Sequence, residues 1–175
     1  MNISDMKLTP EEYRWVDDWL QMWGSWVYSG RLEKRMSSVI AKYMEAADPT
    51  RIMPTRPMCN DDDGLLISQV VDRVIASVDK RALGVLLSYY AHGSSKYGIA
   101  SYYHKTANPR KVECRRGGVR MRPPSLATCR REVEQLLESS LWMVYHGLHP
   151  AMRDRDREVY ARRMKKTGAM ATMSC

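Results

Sequence analysis

Between Lys105 and Arg131 the chain reads KTANPRKVECRRGGVRMRPPSLATCRR. Nine basic side chains, Lys105, Arg110, Lys111, Arg115, Arg116, Arg120, Arg122, Arg130 and Arg131, stand there against one acid, Glu113. The full chain has 28 basic and 20 acidic residues, so its whole formal excess of +8 lies in these 27 residues and the other 148 are neutral. Guanidinium and ammonium groups at this density neutralise phosphates, release their counterions and steer a polyanion toward one face. The chemistry on offer is a grip on nucleic acid.

A second chemistry is conceivable at Asn60-Asp61-Asp62-Asp63, because clustered carboxylates hold Mg2+ in nucleases. The run stands directly before Leu65, Leu66, Gln69, Val70, Val74, Ile75 and Val78, a helical period, and acids in a first turn stabilise the free N–H groups there. Consecutive side chains on a helix also point apart, so helix capping is the expectation and a metal-dependent nuclease the lesser alternative. Cys59, Cys114, Cys129 and Cys175 form no CxxC pair, and His146 and His149 lack companion ligands. Free thiols in a reducing compartment are expected, with no metal and no cofactor.

These groups must be positioned by a fold, and 44% hydrophobic residues in 175 suffice for one core. Thr9-Pro10-Glu11-Glu12 has the form of a helix start, followed by Tyr13, Val16, Trp19, Leu20, Trp23, Trp26 and Val27 at spacings of three and four. That tryptophan stripe reads as core, with protein docking as the sharper alternative, and Trp15 is expected to be exposed. A second helix follows Gly30, carrying Leu32, Met36, Val39, Ile40, Tyr43 and Met44 on one side. Pro49, Pro54 and Pro57 then impose an extended connector. Asp79 is expected to cap RALGVLLSYYAH, Ser94 or Ser95 to begin KYGIASYYHK, and Ser125 to cap a long helix ended by Gly147 and Pro150. The remaining AMRDRDREVYARRMKK reads as a separate basic helix, and TGAMATMSC as a frayed tail.

Two helices, Arg81 to His92 and Ser94 to Lys105, precede the basic stretch, and a longer one, Ser125 to Tyr145, follows it. That is the helix-turn-helix layout, whose second helix enters the major groove. Roughly 18 residues, Thr106 to Pro123, interrupt the usual short turn. Within them KVECR and VRMR flank Arg116-Gly117-Gly118, the signal of a hairpin. The fold expected is all-α, a helical bundle over 1–150 with a helix-turn-helix at about 81–146 interrupted by a basic β-hairpin at 106–123, then a basic C-terminal helix and tail over 151–175. The expected DNA contacts are Lys105, Thr106, Arg110, Lys111, Arg115, Arg116, Arg120, Arg122, Ser125, Thr128, Arg130 and Arg131. Arg130 and Arg131 point about 100 degrees apart on a helix, so one of them faces bases while its neighbour meets phosphate. No apolar run reaches the roughly 18 residues of a membrane span, and MNISDMKLTPEE has no signal pattern, so a cytosolic protein is expected.

MWGSWV (Met22 to Val27), RPMCNDDDGLLISQVVDRV (Arg56 to Val74) and LLSYYAHG (Leu86 to Gly93), in that order and spacing, resemble the small antitermination protein Q family of lambdoid phages, the phage 21 type. The resemblance covers roughly Leu20 to Leu148. It implies a non-enzymatic transcription factor acting in the host bacterial cytoplasm. Such a factor binds a late-promoter DNA element through a helix-turn-helix similar to region 4 of a sigma factor. It then loads onto paused RNA polymerase, with the sigma factor present, and hinders terminator hairpins at the RNA exit channel. By position, Ser94 to Lys105 matches the first helix of that motif and Ser125 to Tyr145 the recognition helix. The zinc-ligating cysteines of the larger lambda type are missing here, and the inserted hairpin departs from the compact pattern. Charge and helices point to DNA, whereas antitermination is implied by the resemblance alone. The basic segment Arg153 to Lys166 could contact polymerase or nascent RNA. A helix-turn-helix regulator that does not travel with polymerase is the alternative.

Overall fold

The computed structural model describes residues 7–35, 38–47, 54–113 and 118–172. Helix α1 (Pro10–Tyr28) begins in a reciprocal cap. The Thr9 amide donates to Glu12 Oε2 at 2.8 Å and the Glu12 amide to Thr9 Oγ1 at 3.3 Å, which satisfies two of the free N–H groups of the first turn. The same device recurs along the chain. Asn60 caps α3 (Asp61–Val71), Asp79 caps α4 (Lys80–Tyr90), and Ser95 rather than Ser94 caps α5 (Lys96–Thr106). A π-helical turn, Asp72–Ala76, extends α3.

The second helix is shorter than its apolar pattern suggests. It spans Val39–Ala47 as α2, and Leu32 is buried from the turn that leaves Gly30, where a φ of 76° uses the one residue type without a Cβ penalty. Met36 and Pro49 lie outside the described residues. Beyond them, Arg56 donates to the carbonyls of Tyr90 at 3.2 Å and Ala91 at 2.8 Å, closing the free end of α4.

The tryptophans of α1 are core. Trp23 and Trp26 are fully buried, and both indole N–H groups are satisfied, Trp23 by Ser68 Oγ at 2.9 Å and Trp26 by Asp61 Oδ1 at 2.8 Å. Trp15 is half-buried rather than exposed, because its ring packs edge-on against Tyr145 and His149 of the last helix. The stripe expected as a possible docking surface is therefore spent on α3 and on that helix. Gly24 lets α1 approach α4 so closely that a Cβ there would lie 2.2 Å from the Tyr90 carbonyl oxygen.

The last helix, α6, is one element from Leu126 to Thr172. It does not end at Gly147 and Pro150, and no separate helix follows. Gly147 is a packing residue, since a Cβ there would sit 2.8 Å from Val70 Cγ1. Pro150 removes one intrahelical hydrogen bond, a local cost of about 3 kcal/mol, yet Leu148 and Met152 on either side are buried and hold the helix against the body. Further along, Arg155 pairs with Asp63. The helix covers most of the segment expected as a frayed tail, and residues 173–175 lie outside the described ones. No helix among the described residues is long and apolar enough to cross a membrane.

Between α5 and α6 stand β1 (Arg110–Glu113) and β2 (Val119–Arg122), an antiparallel pair in the register Arg110 to Arg122, Lys111 to Met121, Val112 to Arg120 and Glu113 to Val119. The expected all-α bundle with an inserted basic hairpin is the architecture found.

Candidate nucleic-acid interface

The start of α6 is organised by Ser125. Its hydroxyl accepts the Thr128 amide at 3.2 Å and bonds the Thr128 hydroxyl at 2.9 Å, while its carbonyl accepts the Cys129 amide at 3.0 Å. Cys129, Val133 and Leu137 face inward, which leaves Ala127, Arg130 and Arg131 exposed in the first two turns. α5 packs on α6, and its buried residues are Ile99 and Ala100. His104 Nδ1 lies 3.0 Å from the Pro124 carbonyl oxygen, joining the end of α5 to the end of the hairpin. The helix pair expected from the sequence is thus formed, with the hairpin as its turn.

Strand pairing sorts the hairpin side chains. Directly opposed residues share a face and neighbours alternate, so Arg110, Val112, Arg120 and Arg122 lie on one face and Lys111, Val119 and Met121 on the other. The Arg110 face is turned toward α6, because Arg110 donates to Glu132 at 2.5 and 3.2 Å. Arg120 and Arg122 share the face of the Arg110 that is fastened to α6, and both are exposed, as are Arg130 and Arg131 in the first turns of α6. Among the described residues none of these four arginines has an ion-pair partner. Lys105 and Thr106 are exposed at the end of α5, and Lys111 is exposed on the other face of the hairpin. Arg115 and Arg116 lie outside the described residues.

The basic C-terminal part of α6 is different. Arg157 pairs with Asp154 at 3.6 Å, Arg162 with Glu158 at 3.5 Å, and Arg155 with Asp63 and Asp156. Three of its arginines are thus paired, whereas Arg120, Arg122, Arg130 and Arg131 have no ion-pair partner among the described residues.

Asp61 and Asp63 also prove to be structural. Asp61 accepts from the Trp26 indole, from Arg31 at 3.3 Å and from Arg35 at 2.6 Å, and the indole together with those cations holds its carboxyl below the usual range. Asp63 takes the Arg155 guanidinium and the Asn60 amide, while Asn60 Oδ1 accepts the Asp63 amide at 2.8 Å as the cap of α3. The acids stand in the first turn of α3 behind the Asn60 cap, and Asp61 and Asp63 also fasten α1 and α6 to it. Among the described residues no cluster of three or more His, Cys, Asp or Glu is placed to hold a metal ion.

Sequence reasoning missed Glu132 and Arg81. Glu132 follows Arg131 directly, and an acid so near the start of a basic helix was the available signal. It bonds Arg110 and, at 2.7 Å, Arg81, and these cations, Arg110 foremost, hold its carboxyl below the usual range.

Residues 13–131 match a family model described as phage antitermination protein Q, a span from α1 through the hairpin to the first turns of α6. The chain belongs to the phage antitermination protein Q family. Among solved structures similar to it, transcription antitermination factor Q21 is 62% identical, covering 86% of this chain and 98% of its own, with a TM-score of 0.79. Q21 in complex with Q21-binding-element DNA is 64% identical over 86% of this chain and 98% of its own, at 0.78. The Q protein of bacteriophage 21 is 62% identical over 86% and 99%, at 0.77. No curated protein matches the chain. Membership in the Q family makes this chain a regulator of phage transcription, in keeping with a site built of unpaired cations.

Proposed function

We propose that this chain is a late-gene antitermination factor that binds duplex DNA with the hairpin and the start of α6, joins RNA polymerase and suppresses termination. The observation that carries the DNA-binding part is the set of four exposed, unpaired arginines, Arg120 and Arg122 on the hairpin and Arg130 and Arg131 in the first turns of α6. A relative 64% identical is known in complex with its binding-element DNA.

In this reading α6 enters the major groove from its N-terminus, and Arg130 or Arg131 reads a guanine edge while the other meets phosphate. Lys105, Thr106, Lys111, Arg120, Arg122, Ser125 and Thr128 contact the backbone and set the register. Arg115 and Arg116, which lie outside the described residues, add phosphate contacts in this reading. Arg110 is committed to Glu132 and acts by holding the hairpin. The protein works in the host cytoplasm without catalysing a reaction, and its polymerase partner carries a sigma factor at the time of loading.

The test is a purified transcription reaction on a template with a late promoter and a downstream intrinsic terminator. Readthrough that requires both this protein and the promoter element supports the reading. An effect confined to initiation identifies instead a regulator that does not travel with polymerase, and no effect at saturating protein overturns the function.

A further inference from the structure

Glu132 stands in the second turn of α6, on the same side of the helix as Thr128. Its Oε1 accepts from Arg110 Nη1 at 2.5 Å. Its Oε2 accepts from Arg110 Nη2 at 3.2 Å and from Arg81 Nη2 at 2.7 Å. The Arg81 guanidinium in turn lies over the Tyr103 ring, 4.8 Å from its centroid. One carboxylate thereby joins α4, α5, α6 and β1. The hairpin has little else to fix it. Val119 and Met121 are 61% and 62% exposed, and a two-stranded ribbon of this size is marginal by itself. Its attitude toward α6 is set by polar contacts at its root, chiefly Arg110 to Glu132 and His104 to the Pro124 carbonyl.

Fastening Arg110 also decides where its face-mates go. Arg120 and Arg122 share its face, so the bond to Glu132 fixes that face relative to the exposed start of α6. A carboxylate at the edge of a phosphate-binding surface repels every duplex alike, which lowers indiscriminate attraction. Discrimination is a difference between two affinities, and it grows when the attraction common to both is weakened while the geometry suited to one is enforced.

We propose that Glu132 is a specificity-determining positioning residue: it holds the hairpin, through Arg110, so that Arg120 and Arg122 reach the backbone only when α6 is seated in register. The inference rests on the DNA-binding reading above. It assigns the discrimination between sites partly to a residue that touches no base.

The test uses the full chain and a duplex enriched from a random library by the wild-type protein, compared with a scrambled duplex of equal composition at matched salt. Glu132→Gln binds the scrambled duplex more tightly than wild type. The ratio of the two affinities falls by about fivefold or more, the lower bound of what one base-reading contact contributes. Arg110→Ala lowers the ratio by a similar factor, and the double variant lowers it no further, because both substitutions open the same contact. A partly unfolded variant loses affinity for both duplexes equally and leaves the ratio unmoved, so damage to the fold does not imitate the result. An unchanged ratio in Glu132→Gln, or losses that add in the double variant, overturns the assignment while leaving the DNA-binding reading intact. Failure of the wild-type protein to enrich any sequence overturns both.

Discussion

Arg155 of α6 is ion-paired with Asp63 at the start of α3, 92 positions earlier in the chain. The pair fastens the outer half of a helix whose Pro150 weakens its own ladder. The two ends are unequal, since the Asp63 side chain is 11% exposed and that of Arg155 is 33% exposed. Removing Arg155 leaves a nearly buried carboxylate with the Asn60 amide as its remaining side-chain partner, whereas removing the Asp63 charge leaves a cation that can reach water. Arg155→Ala is expected to cost about 2 to 3 kcal/mol and Asp63→Asn about 1 kcal/mol in urea unfolding. In both variants amide exchange should accelerate beyond Met152.

Gly147→Ala separates two readings of that glycine. As a mid-helix spacer with room beside it, it would be improved by alanine, by about 1 kcal/mol of helix propensity. The Val70 methyl 2.8 Å from the added Cβ makes it a contact residue instead, and overpacking of this kind costs about 1 to 3 kcal/mol. Thermal unfolding should therefore show a lower Tm, by a few degrees.

These two positions also show what the sequence could convey. Helix starts were legible at Thr9, Asn60, Asp79 and Ser125 because a cap is satisfied within three residues of itself. The hairpin was legible because Gly-Gly between alternating segments is equally local. The continuity of α6 was not, since Gly147 and Pro150 are stop signals by propensity and the burial of Leu148 and Met152 overrides them only in three dimensions. The site followed the same division. The basic stretch could be read from composition, but Glu132 acquires its meaning from Arg110, 22 positions away, and from Arg81, 51 positions away. Trp15 was misjudged for the same reason, its partners Tyr145 and His149 being remote in the chain.

The arginines of the interface should divide by role. Replacing whichever of Arg130 and Arg131 reads a base costs about 1 to 3 kcal/mol on the correct site and relaxes specificity there. Arg120→Ala and Arg122→Ala weaken binding to the enriched duplex more than to the scrambled one, leave the preferred base at each position unchanged, and each reduce the slope of log affinity against log salt on the enriched duplex by about 1. Fluorescence anisotropy titrations across a range of salt concentrations distinguish the two patterns.

The hairpin tether should depend on acidity in a defined direction. The Glu132 carboxyl is held below its ordinary value of 4.5 in the fold, so its contribution is complete above that value and declines as pH falls through the lowered one. A distance measurement between labels on Val119 and Gln135 should give one narrow distribution from neutral pH down to the ordinary carboxylate range, and broaden only below it. Glu132→Gln should be broad at every pH.

Protection of arginines from a guanidinium-directed reagent on addition of the enriched duplex probes the interface most directly. The account predicts that Arg120, Arg122, Arg130 and Arg131 become protected in moderate salt, while Arg153 and Arg157 react as before. Unchanged reactivity of those four, with the protein demonstrably bound, or protection confined to the C-terminal part of α6, would contradict it.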